Sequence, residues 1–474
     1  MKTMPTAFWD PVPSEVIEKI HAATIRVLGE TGVNFHSEEA LAIFKKHGLK
    51  TDGRKVYFDA GTVEKALATC PRAFTIHGRD GQYDVELGRH LVVATSTGAI
   101  YYETEKGGRA PATLQDFIDI QCLYQTSDLV DMVGYTPVYP SDVPADIKFL
   151  RLTQASLRHT SKPFINPMSR TRECLDMLEM LGLAFEDPGI FKKKCVTGAG
   201  INPLNPLQYG TEALETMLEY ARRGQALFLA PAPMMGLSSP LTHLGTAVQQ
   251  NAEILAGLAL VQLVNPGSPV LYMASSFAGY MRTAGCAVSS PDSYLANAIN
   301  FQLARQKYGL PLRANASLTE AKTFDAQAGS ETMLCMLMAM LGGASLFHIS
   351  LGCLDSILAF SPEKLILDEE IFSRCAHLLA GPSLNEADYG VELLHEIGPG
   401  GSFITHLNTM KNFRKLWTPK VSHWDSYSHW EETGRKSVAA RAAEIVAARL
   451  ASARSDYLSP AADKAISAIV AKRA

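Results

Sequence analysis

Neutral polar and aromatic side chains stand near the ends of short apolar runs in this sequence. His348 lies in the run ASLFHISLG and Asn315 in PLRANASLT, while Tyr101, Tyr102 and Phe277 end two further runs. Aromatic faces with hydrogen-bonding groups around them suit a cation that carries no hydrogen-bonding proton, such as a quaternary ammonium, which cation–π attraction holds. The pattern therefore predicts a site for a small cationic ligand.

The same run ends carry few charges. General acid–base hydrolysis prefers paired carboxylates, and hydrolytic metal centres need several converging His, Asp or Glu ligands, yet His348 is the one histidine in this set. His423 and His429 lie in SHWDSYSHW without regular ligand spacing. We therefore assign no acid or base catalyst and no directly bound metal ion.

Eight apolar runs, each followed by a helical pattern, must position these side chains. Such repetition is typical of consecutive βα units around a parallel sheet. GAGINP lacks the glycine spacing of a nucleotide-binding turn, which disfavours a doubly wound sheet. The sequence therefore predicts an α/β fold, a closed (β/α)8 TIM-type barrel. The runs are 92–102, 130–139, 163–168, 195–203, 226–234, 269–277, 311–319 and 344–352.

The barrel changes the interpretation of His348. A lone histidine in an apolar run is more often a packed core residue, but enzymes of this fold bind substrates at the carboxyl ends of their strands. His348 lies toward the end of the eighth run. We therefore expect it to contact substrate.

Sequence patterns divide the chain into three parts. Residues 1–90 mix helical and short alternating patterns and predict an α+β extension, and 91–385 hold the barrel. Residues 386–474 predict a C-terminal helical segment that packs on the barrel and ends in a helix.

Composition excludes several classes of function. The 474 residues carry 44 basic and 48 acidic side chains, a net charge of −4, with no basic cluster for nucleic acid. The N-terminus lacks a signal-peptide pattern, no apolar run of about 18 residues suggests a membrane span, and the eight cysteines are scattered. We expect a cytoplasmic protein that binds neither nucleic acid nor membrane.

Two segments resemble a known family. SLTEAKTFDAQAGSETM (317–333) resembles the S-D-x-K-x-x-D-x-Q-A-G-x-E segment of the trimethylamine methyltransferase family, with Thr319 and Glu320 replacing the commoner Ser and Asp. The stretch from GPGGSFITHLNTMKNF onward resembles the C-terminal signature of that family, with HLNT in place of the commoner H-T. The founding members contain pyrrolysine, which this chain lacks. The resemblance implies the non-pyrrolysine branch, whose members transfer methyl groups from quaternary amines such as glycine betaine to the cob(I)alamin of a small corrinoid protein.

Such a reaction needs positioning more than acid–base chemistry. A quaternary ammonium already carries positive charge on nitrogen and leaves as a neutral tertiary amine, and cob(I)alamin is a strong nucleophile. The enzyme has to hold the N-methyl group in line with the cobalt and exclude water.

Site roles follow as hypotheses. We expect His348, with Asn315 as helper, to bind the carboxylate of a betaine, with charge assistance if the ring is protonated. Asp325 and Gln327 match the family segment and belong to the loop after the seventh strand, where they either line the pocket or order the loop. The candidates for an aromatic wall around the trimethylammonium group are Tyr101, Tyr102, Phe277 and Phe360.

Several alternatives stay open at this point. Proline betaine, carnitine and γ-butyrobetaine would undergo the same chemistry as glycine betaine, our first choice. A non-catalytic member that binds a betaine or docks the corrinoid protein is an alternative of another class. We also expect a homo-oligomer. The N-terminal extension and the segment with Trp417, Trp424 and Trp430 form its subunit surface or the partner surface, unless these aromatics only pack on the barrel.

Overall fold

A computed structural model of the chain describes residues 2, 4, 8–95, 98–103, 108–134, 136–348 and 351–473. Eight parallel strands form one sheet in which each strand pairs with the next along the chain. The eighth strand also pairs with the first through Leu346 and Val92, and a parallel bridge between Ala94 and Met132 joins the first to the second. The sheet is therefore closed, which confirms the predicted barrel.

The eight barrel strands are short and follow the predicted runs in order. They are numbered here as barrel strands 1 to 8 from the N-terminus. Their bounds are Val92–Val93, Val133–Gly134, Phe164–Asn166, Thr197–Ile201, Ala226–Leu229, Val270–Met273, Leu312–Asn315 and Leu346–His348.

A helix follows every barrel strand and covers the outside of the sheet. Helix His243–Val264 is long and apolar enough to span a membrane, but 83% of its most apolar stretch is buried in the helical layer. This burial is typical of a core helix in a globular protein. The eight helices are Leu114–Gln125, Lys148–His159, Thr171–Ala184, Thr211–Arg222, His243–Val264, Pro291–Gln302, Ala326–Leu341 and Pro362–Ala380.

Apolar side chains fill the interior of the barrel. Phe228, Met273 and Leu346 belong to one buried cluster. Gly198 makes room for this filling, since a methyl group at its Cα would lie 2.7 Å from Phe228 Cζ. The hairpin Phe74–Ile76 and Val85–Leu87 joins the same cluster, so the N-terminal extension packs against the barrel interior.

The rest of the N-terminal extension is bound to the barrel by a second small sheet. Strand Val33–Phe35 pairs with Lys55–Val56 and also with Gln208–Tyr209, which follows barrel strand 4. Its remaining elements are the helices Ser14–Arg26, Glu38–Lys46 and Ala60–Thr69, the π-helical turn Val27–Thr31 and the strand Thr51–Asp52.

Two further small sheets stand beyond the carboxyl ends of the barrel strands. One contains Cys353–Leu354, Ala359–Phe360, Tyr101–Glu103 and Arg109–Pro111, and the other contains Met234–Met235, Phe277–Tyr280 and Gly285–Ala287. The sequence prediction treated 92–102 as one strand, which is wrong in this detail. Barrel strand 1 ends at Val93, and Tyr101 and Tyr102 belong to a separate sheet because they pair with loop residues after barrel strand 8.

The C-terminal segment is helical. Helix Val438–Ala451 packs on helix Pro362–Ala380, and helix Pro460–Arg473 packs on Thr171–Ala184. Arg473 and Asp176 form an ion pair with an N–O distance of 2.7 Å at the latter contact. The elements before them are the helices Val391–Ile397, Leu407–Asn412 and Tyr427–Glu432 and the 3-10 turns Glu386–Tyr389 and Phe413–Lys415.

Candidate functional site

Four buried polar side chains lie together at the carboxyl ends of barrel strands 6, 7 and 8. Arg313 Nη1 donates to Ser275 Oγ at 2.5 Å, and Arg313 Nη2 donates to His348 Nδ1 at 2.9 Å. Asn315 lies directly opposite His348 in the parallel register of strands 7 and 8. We call Ser275, Arg313, Asn315 and His348 the polar wall.

Alternation along the strands explains this cluster. In a strand, residues two apart share a face, so Arg313 and Asn315 share one face of strand 7. Leu346 belongs to the apolar filling of the barrel, and His348 comes two residues later on the same face. The polar wall therefore lies directly above the apolar interior.

The buried His348 ring is neutral. Burial and the positive charge of Arg313 both hold the pKa of His348 well below its usual value of 6.5. A guanidinium can only donate, so Nδ1 accepts its hydrogen bond and Nε2 carries the ring proton. The sequence left the protonation of this ring open; in the fold the neutral ring gives no charge assistance, and Arg313 supplies the positive charge.

Arg313 is the residue that the sequence analysis missed. It is 1% exposed and is the largest fully buried side chain in the described part of the chain. Arginine is almost never fully buried without a partner for its charge. The available signal was a charged side chain in a run that otherwise carries no charge, two residues before Asn315.

Asn315 and Phe277 border a common cavity. The Asn315 side chain is 92% buried, and neither its amide nitrogen nor its amide oxygen has a hydrogen-bond partner in the described structure. The cavity of about 20 Å³ is also lined by Tyr294 and Cys335. A space of this size holds one water molecule, so the structure brings Asn315 and Phe277 together but leaves no room for a betaine between them in this conformation.

The other three aromatic candidates lie in the small sheet that joins the loops after strands 1 and 8. Phe360 is fully buried and stacks on Tyr102, with ring centroids 6.2 Å apart and an angle of 19° between the planes. The Phe360 ring is also nearly perpendicular to the Tyr124 ring, with centroids 6.4 Å apart. Tyr101 is 36% exposed at the margin of this sheet. We call Tyr101, Tyr102 and Phe360 the aromatic wall, and its contact with substrate stays a prediction.

Asp325 and Gln327 make contacts within their own loop and helix. Asp325 is the N-cap of helix Ala326–Leu341, and its Oδ1 accepts from the backbone N–H groups of Gln327 and Ala328 at 2.9 and 3.1 Å. Gln327 Nε2 donates to Glu331 Oε1 at 3.0 Å. Both side chains are exposed, and these contacts favour loop ordering over a place in the pocket.

A buried ion pair fixes the two loops that follow the polar wall. Lys364 Nζ lies 2.7 Å from Asp368 Oδ2, and both side chains are at most 1% exposed. Asp368 accepts hydrogen bonds from Ser317 Oγ after strand 7 and from Gly352 N after strand 8, the latter at 2.7 Å. Breaking such a pair is costly because it leaves an uncompensated buried charge. The pair therefore holds the two loops in place.

No group of three or more His, Cys, Asp or Glu side chains in the described ranges is arranged to hold a metal ion. The eight cysteines are all free thiols.

The closed βα barrel defines an α/β-barrel protein, and the polar wall lies at the carboxyl ends of its strands, where proteins of this fold bind their substrates. The sequence matches the trimethylamine methyltransferase (MTTB) family over residues 2–474. The chain belongs to this family, which confirms the resemblance and the prediction of a methyltransferase.

Two characterised relatives are similar over most of their length. The chain is 34% identical over 457 residues to the glycine betaine methyltransferase of Desulfitobacterium hafniense (strain Y51), covering 95% of this chain and 94% of that protein. It is 29% identical over 434 residues to the proline betaine:corrinoid methyltransferase of Eubacterium limosum, covering 88% and 86%.

One solved structure supports the fold. The monomethylamine methyltransferase of Methanosarcina barkeri aligns with a TM-score of 0.54 and 12% identity over 95% of this chain and 89% of that chain. At this identity the likeness establishes shared architecture alone.

Proposed function

We propose that this enzyme transfers a methyl group from glycine betaine to the cob(I)alamin of a partner corrinoid protein, and that dimethylglycine is the second product. The observation that carries the proposal is the buried Arg313 and His348 pair at the carboxyl ends of barrel strands 7 and 8. The glycine betaine methyltransferase that is 34% identical to this chain supports the choice of substrate.

The polar wall suits the carboxylate of the substrate. A guanidinium and a neutral imidazole N–H are both hydrogen-bond donors. A hydrogen bond from Arg to a carboxylate is among the stronger ones in proteins. The Asn315 amide has no partner in the described structure and adds a further donor at the same level of the barrel. The carboxylate also places a negative charge beside Arg313.

Phe277 lines a cavity together with Asn315 of the polar wall, and we assign it to the trimethylammonium end of the substrate. Because Arg313 and His348 are at most 2% exposed, entry of the substrate requires displacement of the loops above them. Closure of those loops afterwards excludes water from the reacting methyl group.

Transfer itself needs no proton. The corrinoid supplies the electron pair that takes up the methyl group, and the electron pair of the broken N–C bond stays on nitrogen. Positive charge on that nitrogen therefore decreases toward the transition state, so very tight binding of the cation would slow the reaction. We expect modest affinity for glycine betaine.

This end of the barrel carries an exposed apolar surface that suits contact with the partner protein. Leu241 and Met281 lie in the loops after strands 5 and 6 and are 69% and 60% exposed, and Tyr280 beside them is 48% exposed. An apolar rim of this kind fits contact with another protein and its macrocycle. A cob(I)alamin partner also requires a reducing compartment, which agrees with our expectation of a cytoplasmic enzyme.

The decisive experiment mixes the purified protein with a reduced corrinoid protein and a panel of amines. We expect glycine betaine to convert the cob(I)alamin spectrum to that of methylcobalamin, with dimethylglycine detected by mass spectrometry in equal amount. Trimethylamine and a reaction without enzyme are the controls. Absence of methylcobalamin with every betaine would reject the proposed activity.

Proline betaine is the second candidate. The 29% identical proline betaine:corrinoid methyltransferase supports it, and the carboxylate contacts of the polar wall would serve this substrate as well. A higher kcat/KM for proline betaine than for glycine betaine in the same assay would reverse the order.

A further inference from the structure

Residues 381–420 form an exposed arm between the barrel and the C-terminal helices. No residue in this range whose burial the structure describes is buried, although the range contains two helices and two 3-10 turns. Helix Val391–Ile397 has seven residues and helix Leu407–Asn412 has six. Helices this short are not stable in water by themselves, because helical stability in proteins comes mainly from packing.

The arm carries large apolar side chains that face solvent. Ten of them are between 41% and 86% exposed. The most exposed are Leu384, Tyr389, Ile404 and Leu416, at 86%, 77%, 78% and 71%. An apolar surface of this extent is rare on a monomer and marks an interaction site.

The exposed area matches what a stable dimer needs. Ten large side chains with about 100 Å² each exposed give on the order of 1,000 Å², against about 800 Å² per partner in a standard interface. Homodimer interfaces are also more apolar than those of transient complexes. The arm therefore has both the size and the composition of a subunit interface.

The charges of the arm divide into two opposite halves. Residues 381–397 contain four acidic side chains and no Lys or Arg, while 398–420 contain four basic side chains and no Asp or Glu. Among described side chains, the one ion pair that involves these residues within 4 Å joins Glu396 to His406 at 3.2 Å. The basic side chains are Lys411, Arg414, Lys415 and Lys420, and the acidic ones are Glu386, Asp388, Glu392 and Glu396.

The end of the arm is fixed to the body of the protein. Trp417 Nε1 donates to Ser373 Oγ at 2.7 Å, and the Arg374 guanidinium lies 4.7 Å from the centre of the Trp417 ring. Glu370 accepts from the backbone N–H of Lys420 at 2.9 Å. The arm is thus presented in a defined position, which lowers the entropy that association has to overcome.

We propose that the arm is the interface between two copies of this chain. In a two-fold dimer the same surface is used by both subunits, so the acidic half of each arm meets the basic half of the other. This arrangement pairs the charges and covers the exposed apolar side chains at once. The inference does not depend on the identity of the methyl donor.

Charge reversal tests this arrangement. The acidic variant is Lys411→Glu/Arg414→Glu/Lys415→Glu, and the basic variant is Glu386→Lys/Glu392→Lys/Glu396→Lys. Sedimentation of the native protein should give twice the chain mass of 51.5 kDa. Each variant alone should dissociate at a concentration about tenfold or more higher, because like charges face each other, and a mixture of the two should recover the dimer.

The control is Lys19→Glu/Lys45→Glu/Lys46→Glu, which reverses three exposed charges in the N-terminal extension and should remain dimeric. Circular dichroism should show the same helix content for every variant. A monomeric native protein, or variants that keep the native dimer, would overturn the proposal. So would variants that stay dimeric but no longer accept a corrinoid protein, since the arm would then be the docking surface for that partner.

Discussion

The polar wall and the aromatic wall are built in different ways. Arg313, Asn315 and His348 project from barrel strands in register, so backbone hydrogen bonds fix their relative positions. Tyr102 and Phe360 lie opposite each other in a small sheet outside the barrel, which joins the loops after strands 1 and 8, and their rings stack on each other. Side chains on the strands of the scaffold are held more precisely than side chains on its loops. We therefore expect the carboxylate site to be more rigid than the site for the ammonium group.

Removing the positive charge of the polar wall should have the largest effect on activity. Arg313→Met removes the guanidinium but keeps much of its volume, and loss of a buried charged contact costs about 2–5 kcal/mol. We expect kcat/KM for glycine betaine to fall by about 100-fold or more, measured by methylcobalamin formation.

Choline separates binding from folding in this experiment, because it shares the trimethylammonium group and lacks the carboxylate. Its affinity, measured by calorimetry, should change less than that of glycine betaine. Equal losses for both ligands, or a large drop in the melting temperature, would mean that Arg313 acts only in the structure.

A change in the aromatic wall should be milder. Phe360→Leu leaves a smaller side chain against Tyr102 and Tyr124 and should lower the free energy of unfolding by about 1–2 kcal/mol. If the wall contacts the ammonium group, the KM for glycine betaine should rise several-fold as well. Tyr124→Phe, at the far edge of the same cluster, is the control. A stability loss with unchanged KM would remove Phe360 from the site.

The neutral state of His348 predicts a dependence of stability on pH. The folded pKa is well below the unfolded value of 6.5, so the unfolded chain takes up this proton first as the pH falls. The contribution of the neutral His348 ring to the stability of the fold is complete above pH 6.5 and is lost progressively below it. Between pH 7.5 and 5.5 the loss is about 1.4 kcal/mol, which is the value for one full unit below the unfolded pKa.

Urea unfolding of the native protein and of His348→Gln at both pH values isolates this contribution from the other histidines. The variant should lose about 1.4 kcal/mol less than the native protein over the same interval. Identical losses in the two proteins would show that the fold does not lower the pKa of His348.

The smallest effect concerns the helix cap. Asp325→Ala removes the acceptor for two backbone N–H groups and should lower the free energy of unfolding by about 1 kcal/mol, with little change in KM. Asp325→Asn keeps a capping oxygen and should behave like the native protein. A rise in KM for Asp325→Asn would instead give the carboxylate a place in the pocket.

Sequence determined the barrel because its causes are local. Each apolar run followed by a helical pattern commits a short segment to one βα unit, and the order of the units fixes which strands are neighbours. The same argument placed His348 and Asn315 at the carboxyl end of adjacent strands, as the register shows.

Tertiary structure alone decided the ionisation of His348 and the pairing of the aromatic residues. The ring is neutral because burial and Arg313 act on it together, and these depend on which faces of strands 7 and 8 turn inward. Tyr102 meets Phe360 across more than 250 residues of chain, because the loops after strands 1 and 8 pair at the closing seam of the barrel. Periodicity describes one segment at a time, and the physical causes of both features lie in contacts between distant segments.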